Sequence, residues 1–263
     1  MTAETFPREQ PRGWVRTRRD GAVLTVTLDR PDQLNAQTPE TWAALADIGR
    51  DLDPEVRVVV VRGKGRAFSA GLDRILFDPS PGILGGLGEI GRLPADEAQE
   101  RIRGYQAGFR WLRSPRIVSV AAVQGHAIGA GAQLALACDL RILTGDAQLR
   151  LPETTLGLVP DLTGTSTLVE AVGYSRALEI CLTGRAVGAA EARTIGLATA
   201  VVPPADLDAA VDDLVQALLA PPVEASRATA ALVRSAVRNG PDAQDAAERA
   251  AQVQRLSELV GGG

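Results

Sequence analysis

"GHAIGAGAQLALACDL", residues 125–140, is the stretch on which the reading of the fold turns. It follows the run IVSVAAV at 117–123 and places glycine at 125, 129 and 131 ahead of a segment rich in alanine and leucine. The β-branched run reads as a buried strand, and the alanine and leucine after it read as a helix. The glycines therefore fall at a strand-to-helix junction. Without side chains there, backbone N–H groups lie open to a neighbour, and the helix N-terminus adds partial positive charge. One turn into that helix stands Gln133, an amide in an otherwise apolar segment.

A second junction has the same character. VRVVVV at 56–61 has the composition of a strand covered on both faces, and RAFSAGLD at 66–73 follows it. Two N–H groups converging from two such junctions on one carbonyl oxygen would stabilise an enolate-like oxyanion. Taken singly, each junction is equally compatible with a tight turn that binds nothing. Neither glycine-rich segment, 82–88 or 125–131, spells GxGxxG with an acidic residue at the required distance, so dinucleotide binding is set aside.

Outward from these junctions, strands and helices alternate. VLTVTL at 23–28 is a strand closed by the turn Asp29-Arg30-Pro31-Asp32, and Thr38-Pro39 opens a helix with Thr38 as its cap. A Pro/Gly-rich loop at 78–91 leads to an amphipathic helix at 95–112, which Ser114-Pro115 ends. A short strand at 140–143 and helices at 174–182 and 189–195 follow, and after Pro203-Pro204 the pattern is helical to about residue 259. Residues 1–202 are thus expected to form an α/β body, and 203–263 a helical region packed on some other surface, such as a second subunit.

Composition narrows the functional classes. Hydrophobic content of 45% and charge of 23% are those of a globular protein with ample core. The net charge of −4 argues against a nucleic-acid partner. Arg8, Arg12, Arg16, Arg18 and Arg19 are expected to be a solvated N-terminal arm. Cys138 and Cys181 lie in apolar runs and read as buried free thiols, and no Cys/His spacing suits a metal. His126, the single histidine, reads as a packing or hydrogen-bonding residue, and Asp139 with Arg141 as an internal pair. The opening MTAETFPREQPRGW lacks the apolar core of a secretory signal, and polar residues interrupt the longest apolar segment. A cytoplasmic protein without a membrane span is expected.

Four segments stand in order along the chain: Leu28-Asp-Arg-Pro-Asp-Gln-Leu-Asn-Ala36, Phe68-Ser-Ala-Gly-Leu-Asp73, Gly125-His-Ala-Ile-Gly-Ala-Gly131 with Cys138-Asp-Leu-Arg141, and Pro152-Glu-Thr-Thr-Leu-Gly-Leu-Val-Pro160. Together they resemble the successive motifs of the enoyl-CoA hydratase/isomerase (crotonase) superfamily, over about residues 14 to 203. The resemblance implies an α/β fold, a spiral of ββα turns with a C-terminal all-helical trimerisation region. It also implies a homotrimer, or a hexamer built as a dimer of trimers. The implied ligand is an acyl-CoA thioester that is itself the substrate, with no further cofactor, in the setting of fatty acid metabolism.

By position, the resemblance gives the oxyanion-holding amides to Ala70 and Ala130, the latter where the family often has glycine. It places coenzyme A near Gln33, Asn35, Ser69, Ala70 and Leu72, with Lys64 and Arg66 as candidate phosphate partners. The acyl chain would lie along 73–87, against Ile75, Leu76, Phe77, Ile83, Leu84 and Leu87.

Two departures matter. Hydratases of the superfamily carry glutamates at the positions of Gln133 and Glu153, and an amide can position water but cannot take or return a proton. Glu153 is left as the candidate base, with Asp161 as a nearby acid that would raise its pKa or receive the second proton. The expected activity is therefore double-bond isomerisation of an enoyl- or dienoyl-CoA. The alternatives are a hydratase working with Glu153 alone, another oxyanion-hole reaction such as thioester hydrolysis or C–C cleavage, or a non-catalytic acyl-CoA-binding protein. The second departure is at the C-terminus: the chain ends in SELVGGG, without the aromatic and lysine segment with which many relatives contact a neighbouring subunit's CoA. Either CoA is held less tightly, or arginines such as Arg249 and Arg255 substitute.

Overall fold

A computed structural model describes residues 12–261, so Arg8 lies outside the described residues. The chain opens with strands β1 (Val15–Asp20) and β2 (Val23–Leu28), followed by helix α1 (Pro39–Arg50) and strand β3 (Val58–Gly63). Next come α2 (Leu87–Ile90), α3 (Ala95–Arg110), β4 (Val118–Val123), β5 (His126–Ile128) and α4 (Ala130–Ala137). After these run β6 (Leu140–Thr144), β7 (Gln148–Arg150), α5 (Gly164–Val172), α6 (Tyr174–Thr183), β8 (Ala186–Gly188), α7 (Ala189–Thr194) and β9 (Ala200–Val202). Helices α8 (Leu207–Leu219), α9 (Val223–Ala236) and α10 (Pro241–Gly261) complete it.

Six strands form one sheet in the order β1-β2-β3-β4-β6-β9, parallel throughout except for the β1–β2 hairpin. The valine-rich strands alternate between two cores, as the two-residue period of a strand requires. Val59 and Val61 of β3, with Ala121 and Val123 of β4, face the main core shared with α1, α3 and α4. Val58, Val60, Val120, Ala122 and Ile142 face the other way, onto Leu207, Val211 and Val215 of α8. Covering on both faces is why 58–61 reads as unbroken valine rather than as alternation. The strand begins two residues later than the apolar run suggests, because its register is set by pairing Leu28 with Gly63.

A second, three-stranded sheet of β5, β7 and β8 stands apart from the first. Helix α8 belongs to the packing of the main sheet, whereas α9 and α10 bury no residue at all. The latter two leave Val233, Val237, Val253, Leu256, Leu259 and Val260 exposed.

Several expectations are corrected. The arginines of the presumed arm lie instead on an ordered edge strand: Arg16 pairs with Asp29, and Arg19 with Asp53 and Glu55, while Arg12 just before the strand pairs with Asp47. His126 is exposed rather than packed, since it occupies an outward position of β5. Cys138 is buried and its thiol is pushed up to about 12 by burial, but Cys181 is only partly covered.

Asp139 and Arg141 do not pair with each other, because residues two apart at a strand entrance are drawn to different partners. Asp139 accepts from Ser119 N–H at 2.9 Å and from Arg234 of α9 at 2.8 Å. Arg141, buried and without a carboxylate partner among the described residues, donates to the carbonyls of Leu197 at 2.6 Å, Cys138 at 2.7 Å and Ala135 at 3.4 Å. Replacing it strips three buried acceptors of their donor. Arg141→Leu is expected to lower the unfolding free energy by roughly 2–4 kcal/mol, read as a fall in the urea midpoint at unchanged slope. A loss below about 1 kcal/mol would show that these carbonyls find other partners.

Candidate active site

The two glycine junctions of the sequence meet in space beyond the C-terminal ends of β3 and β4, where parallel sheets commonly bind ligands. The segment after β3 lies parallel to the one after β4. Phe68 N–H donates to the Gln124 carbonyl at 2.9 Å, Ser69 N–H to that of His126 at 2.9 Å, and Ile128 N–H to that of Ser69 at 3.0 Å. This pairing seats Gly71 against Ile128–Ala130. A methyl on Gly71 would come within 3.0 Å of the Ile128 carbonyl oxygen and to 3.5 Å from the Ala130 nitrogen, and its φ of +88° suits glycine alone. Gly131 is pressed on the other side, where a methyl would come to 2.8 Å from the Ser69 Cβ.

A buried polar network fixes the 69–73 turn. Trp42 Nε1 of α1 donates to Gln37 Oε1 at 2.8 Å, and Gln37 Nε2 donates to Ser69 Oγ at 3.0 Å. Ser69 Oγ in turn donates to the Asn35 carbonyl at 2.8 Å and accepts from Gly71 N–H at 3.2 Å. Asn35 Nδ2 holds the carbonyls of Lys64 and Ala67, at 2.9 and 2.8 Å. Asn35 and Ser69 were expected to touch ligand. Both are instead buried with their side-chain polar atoms engaged, so they shape the turn. Gln37 and Trp42 went unnoticed in sequence, for a glutamine before a helix cap carries no signal of its own.

The network also decides which amides are available. Ala70 N–H, the expected oxyanion donor, is engaged by the Leu34 carbonyl at 2.8 Å. It is therefore not open to a ligand oxygen. Among the described residues, the Leu72 and Ala130 N–H groups donate no hydrogen bond within the chain. Leu72 follows Gly71 directly, and Ala130 is the first residue of α4, where N–H groups have no intrahelical partner. The bare backbone of Gly71, set against Ile128–Ala130, brings the two segments that carry these amides side by side.

Glu153 closes the site from a third direction. Gly129 N–H donates to the Arg150 carbonyl at 2.8 Å, which binds the end of β7 to the start of α4. Three residues later a single 3-10 turn, Glu153–Leu156, aims the carboxylate back at that helix start: a methyl on Gly129 would lie 3.5 Å from Glu153 Oε1. The side chain is buried. Its Oε1 accepts from Gln133 Nε2 at 2.8 Å, and its Oε2 has no hydrogen-bond partner among the described residues.

Burial raises the Glu153 pKa above its ordinary value; a hydrogen bond from its own backbone N–H and then that from Gln133 oppose the rise, and the charge of Asp161 adds to it least. Burial raises Asp161 as well. Asp161 is held near by Gln106 of α3, whose Nε2 donates to its carbonyl at 2.7 Å.

The remaining candidates lie on the rim. Gln33 and Arg66 are exposed. Lys64 donates to Asp29 at 2.9 Å and, as the leading cause, holds that carboxyl below its ordinary range. Along 73–87, Leu76 is buried while Ile75, Phe77 and Leu84 are exposed.

Two open amides and a buried carboxylate whose pKa burial raises thus meet at the start of α4, an arrangement chemically suited to holding a carbonyl oxygen and taking a neighbouring proton. The family model described as enoyl-CoA hydratase/isomerase matches residues 18–259 of this chain. The chain is 33% identical over 191 residues to a protein of Mycobacterium tuberculosis provisionally named enoyl-CoA hydratase echA8, covering 72% of this chain and 68% of that one. It is 39% identical over 199 residues to the glyoxysomal fatty acid beta-oxidation multifunctional protein MFP-a of Cucumis sativus, covering 72% of this chain and 25% of that one. Among solved structures, a provisionally named enoyl-CoA hydratase from Thermobifida fusca YX in complex with acetoacetyl-CoA matches with a TM-score of 0.88. It is 50% identical, with 94% and 96% of the two chains covered. The chain belongs to the enoyl-CoA hydratase/isomerase family.

The Gly71 seat is the most sensitive point of this construction. Gly71→Ala is expected to cut turnover of an enoyl-CoA by about 10²-fold, the effect of displacing one oxyanion donor, with the melting temperature lowered as well. Turnover within about threefold of wild type would show that the two amides do not act through this contact.

Proposed function

We propose that the chain binds an acyl-CoA and shifts the double bond of its enoyl or dienoyl group through an enolate. The thioester oxygen sits between the Leu72 and Ala130 amides. Glu153 Oε2 removes a proton from the α- or γ-carbon: the C–H bond breaks, an O–H bond forms on the carboxylate, and the electron pair moves onto the thioester oxygen. The proton returns at the other end of the conjugated system, from Glu153 or from Asp161. The route draws on no group besides the thioester itself, and Lys64 and Arg66 at the rim are offered to the phosphates of coenzyme A.

The observation that carries this reading is the state of Glu153. Of the two acid positions that hydration uses, one holds an amide whose oxygen and nitrogen are both engaged within the protein. The other holds a carboxylate with one unpaired oxygen beside the helix start. One base suffices to move a double bond, whereas adding water asks for activation of water and protonation of carbon together. Hydration by Glu153 alone is the second reading, favoured by the hydratase names of the relatives. The exposed apolar side chains of α9 and α10 support assembly into a trimer or hexamer.

The experiment supplies trans-3-enoyl-CoA and trans-2-enoyl-CoA to the purified protein and separates isomer from 3-hydroxyacyl product. Migration of the double bond with slow or no hydration is expected, and rapid hydration without migration would overturn the reading. Glu153→Gln should lose about 10²–10⁴-fold in kcat. Because the base must be ionised and burial raises its pKa, activity should climb with pH through a limb above the ordinary glutamate value of about 4.3.

A further inference from the structure

We propose that Gln133 is a positioning residue for proton transfer: it ties down one oxygen of Glu153, leaves Oε2 as the sole acceptor, and anchors the turn that carries Asp161. The proposal rests on the reading of Glu153 as the base and adds to it the device that makes a single base sufficient.

The orientation of the Gln133 amide follows from its neighbours. Its Oε1 receives Leu162 N–H at 2.8 Å and Gly164 N–H at 3.3 Å. Two N–H donors can point only at the carbonyl end of an amide, so the NH2 end necessarily faces Glu153, where it donates to Oε1 at 2.8 Å. The side chain is buried in a helix whose eight residues are all buried, and rotation is closed to it. Gly164 is shaped to it as well: a methyl there would come to 2.7 Å from Gln133 Cγ and 2.9 Å from Oε1.

Gln133 therefore gives its carbonyl oxygen to two protein N–H groups and one amide hydrogen to Glu153. It works on two protein groups at once. On one side it stabilises ionised Glu153 and fixes the plane of the carboxylate. On the other it caps the start of α5 and pins the 161–164 turn, in which Thr163 adopts a left-handed φ of +70°. The titratable groups that face Glu153 are Asp161, from that turn, and Cys181, from α6; both feel burial, and Cys181 also feels the Glu153 charge.

A glutamate at 133 would keep the acceptor for Leu162 and Gly164 N–H but would have no hydrogen to give Glu153. Two carboxylates at that separation cannot both ionise, and one proton would be shared between them.

The test follows the pH dependence of trans-3-enoyl-CoA isomerisation in Gln133→Ala, Gln133→Glu and Glu153→Gln, with circular dichroism to confirm folding. In Gln133→Ala the lost hydrogen bond no longer favours the charged base. The acid limb of kcat/KM should rise by about one pH unit or more, and kcat should fall by roughly tenfold or more with KM little changed. Gln133→Glu, which preserves the shape and the cap of α5, should make the pair titrate in two steps, so that the pH profile gains a second inflection absent from the wild type. It decides the matter should the alanine variant fail to fold. If both Gln133 variants retain the wild-type limb and kcat while Glu153→Gln is inactive, Gln133 has no positioning role. If Glu153→Gln is itself active, the base has been misassigned, and that failure is separate from the first.

Discussion

The approach of the Gly71 backbone to the carbonyl of Ile128 is the contact from which the rest of the site takes its dimensions. No residue with a side chain could make it, and only a turn held by non-local hydrogen bonds could keep it. The Ser69–Ala127 bridge and the Trp42–Gln37–Ser69–Asn35 chain provide that hold from a buried setting, where satisfied polar networks are stiff. The Leu72 and Ala130 amides are thereby left without an acceptor among the described residues.

Electrostatics at the site follow from the same burial. Withdrawal from water lifts the pKa of Glu153, the charge of Asp161 lifts it further, and the Gln133 amide restrains the rise. A proton-abstracting group must be both basic and ionised, and these opposing influences bear on both conditions. Substrate binding beside it would replace further water and strengthen each of these effects.

The sequence and the structure agree where the signal is local and repeated. Four valines in a row announce a strand covered on two faces, Thr38-Pro39 announces a helix start, and glycines at 129 and 131 announce a junction. Agreement fails where the deciding partner is remote. Nothing between 66 and 73 tells that the Ala70 amide belongs to Leu34, so the open donor was placed two residues early. The second sheet escaped notice because strands of three residues are too short to show alternation. Asp139 and Arg141 looked like a pair because they are near in sequence, yet the former joins α9 and the latter a set of carbonyls. Gln133 was legible as a departure from an acid. Its two-sided engagement required coordinates, because Leu162 and Gly164 lie some thirty residues away.

The arginines of β1 bear on how this molecule keeps company with itself. An outermost strand offers a row of unsatisfied backbone groups to any other strand that drifts alongside, and an unguarded one seeds fibrils. Here that margin is lined by bulky guanidinium groups, several of them clasped by acids from neighbouring segments, so a second sheet cannot zip onto it without stripping charges of their water and their partners. The protein can thus leave apolar side chains of α9 and α10 exposed while its sheet margin stays guarded by charge.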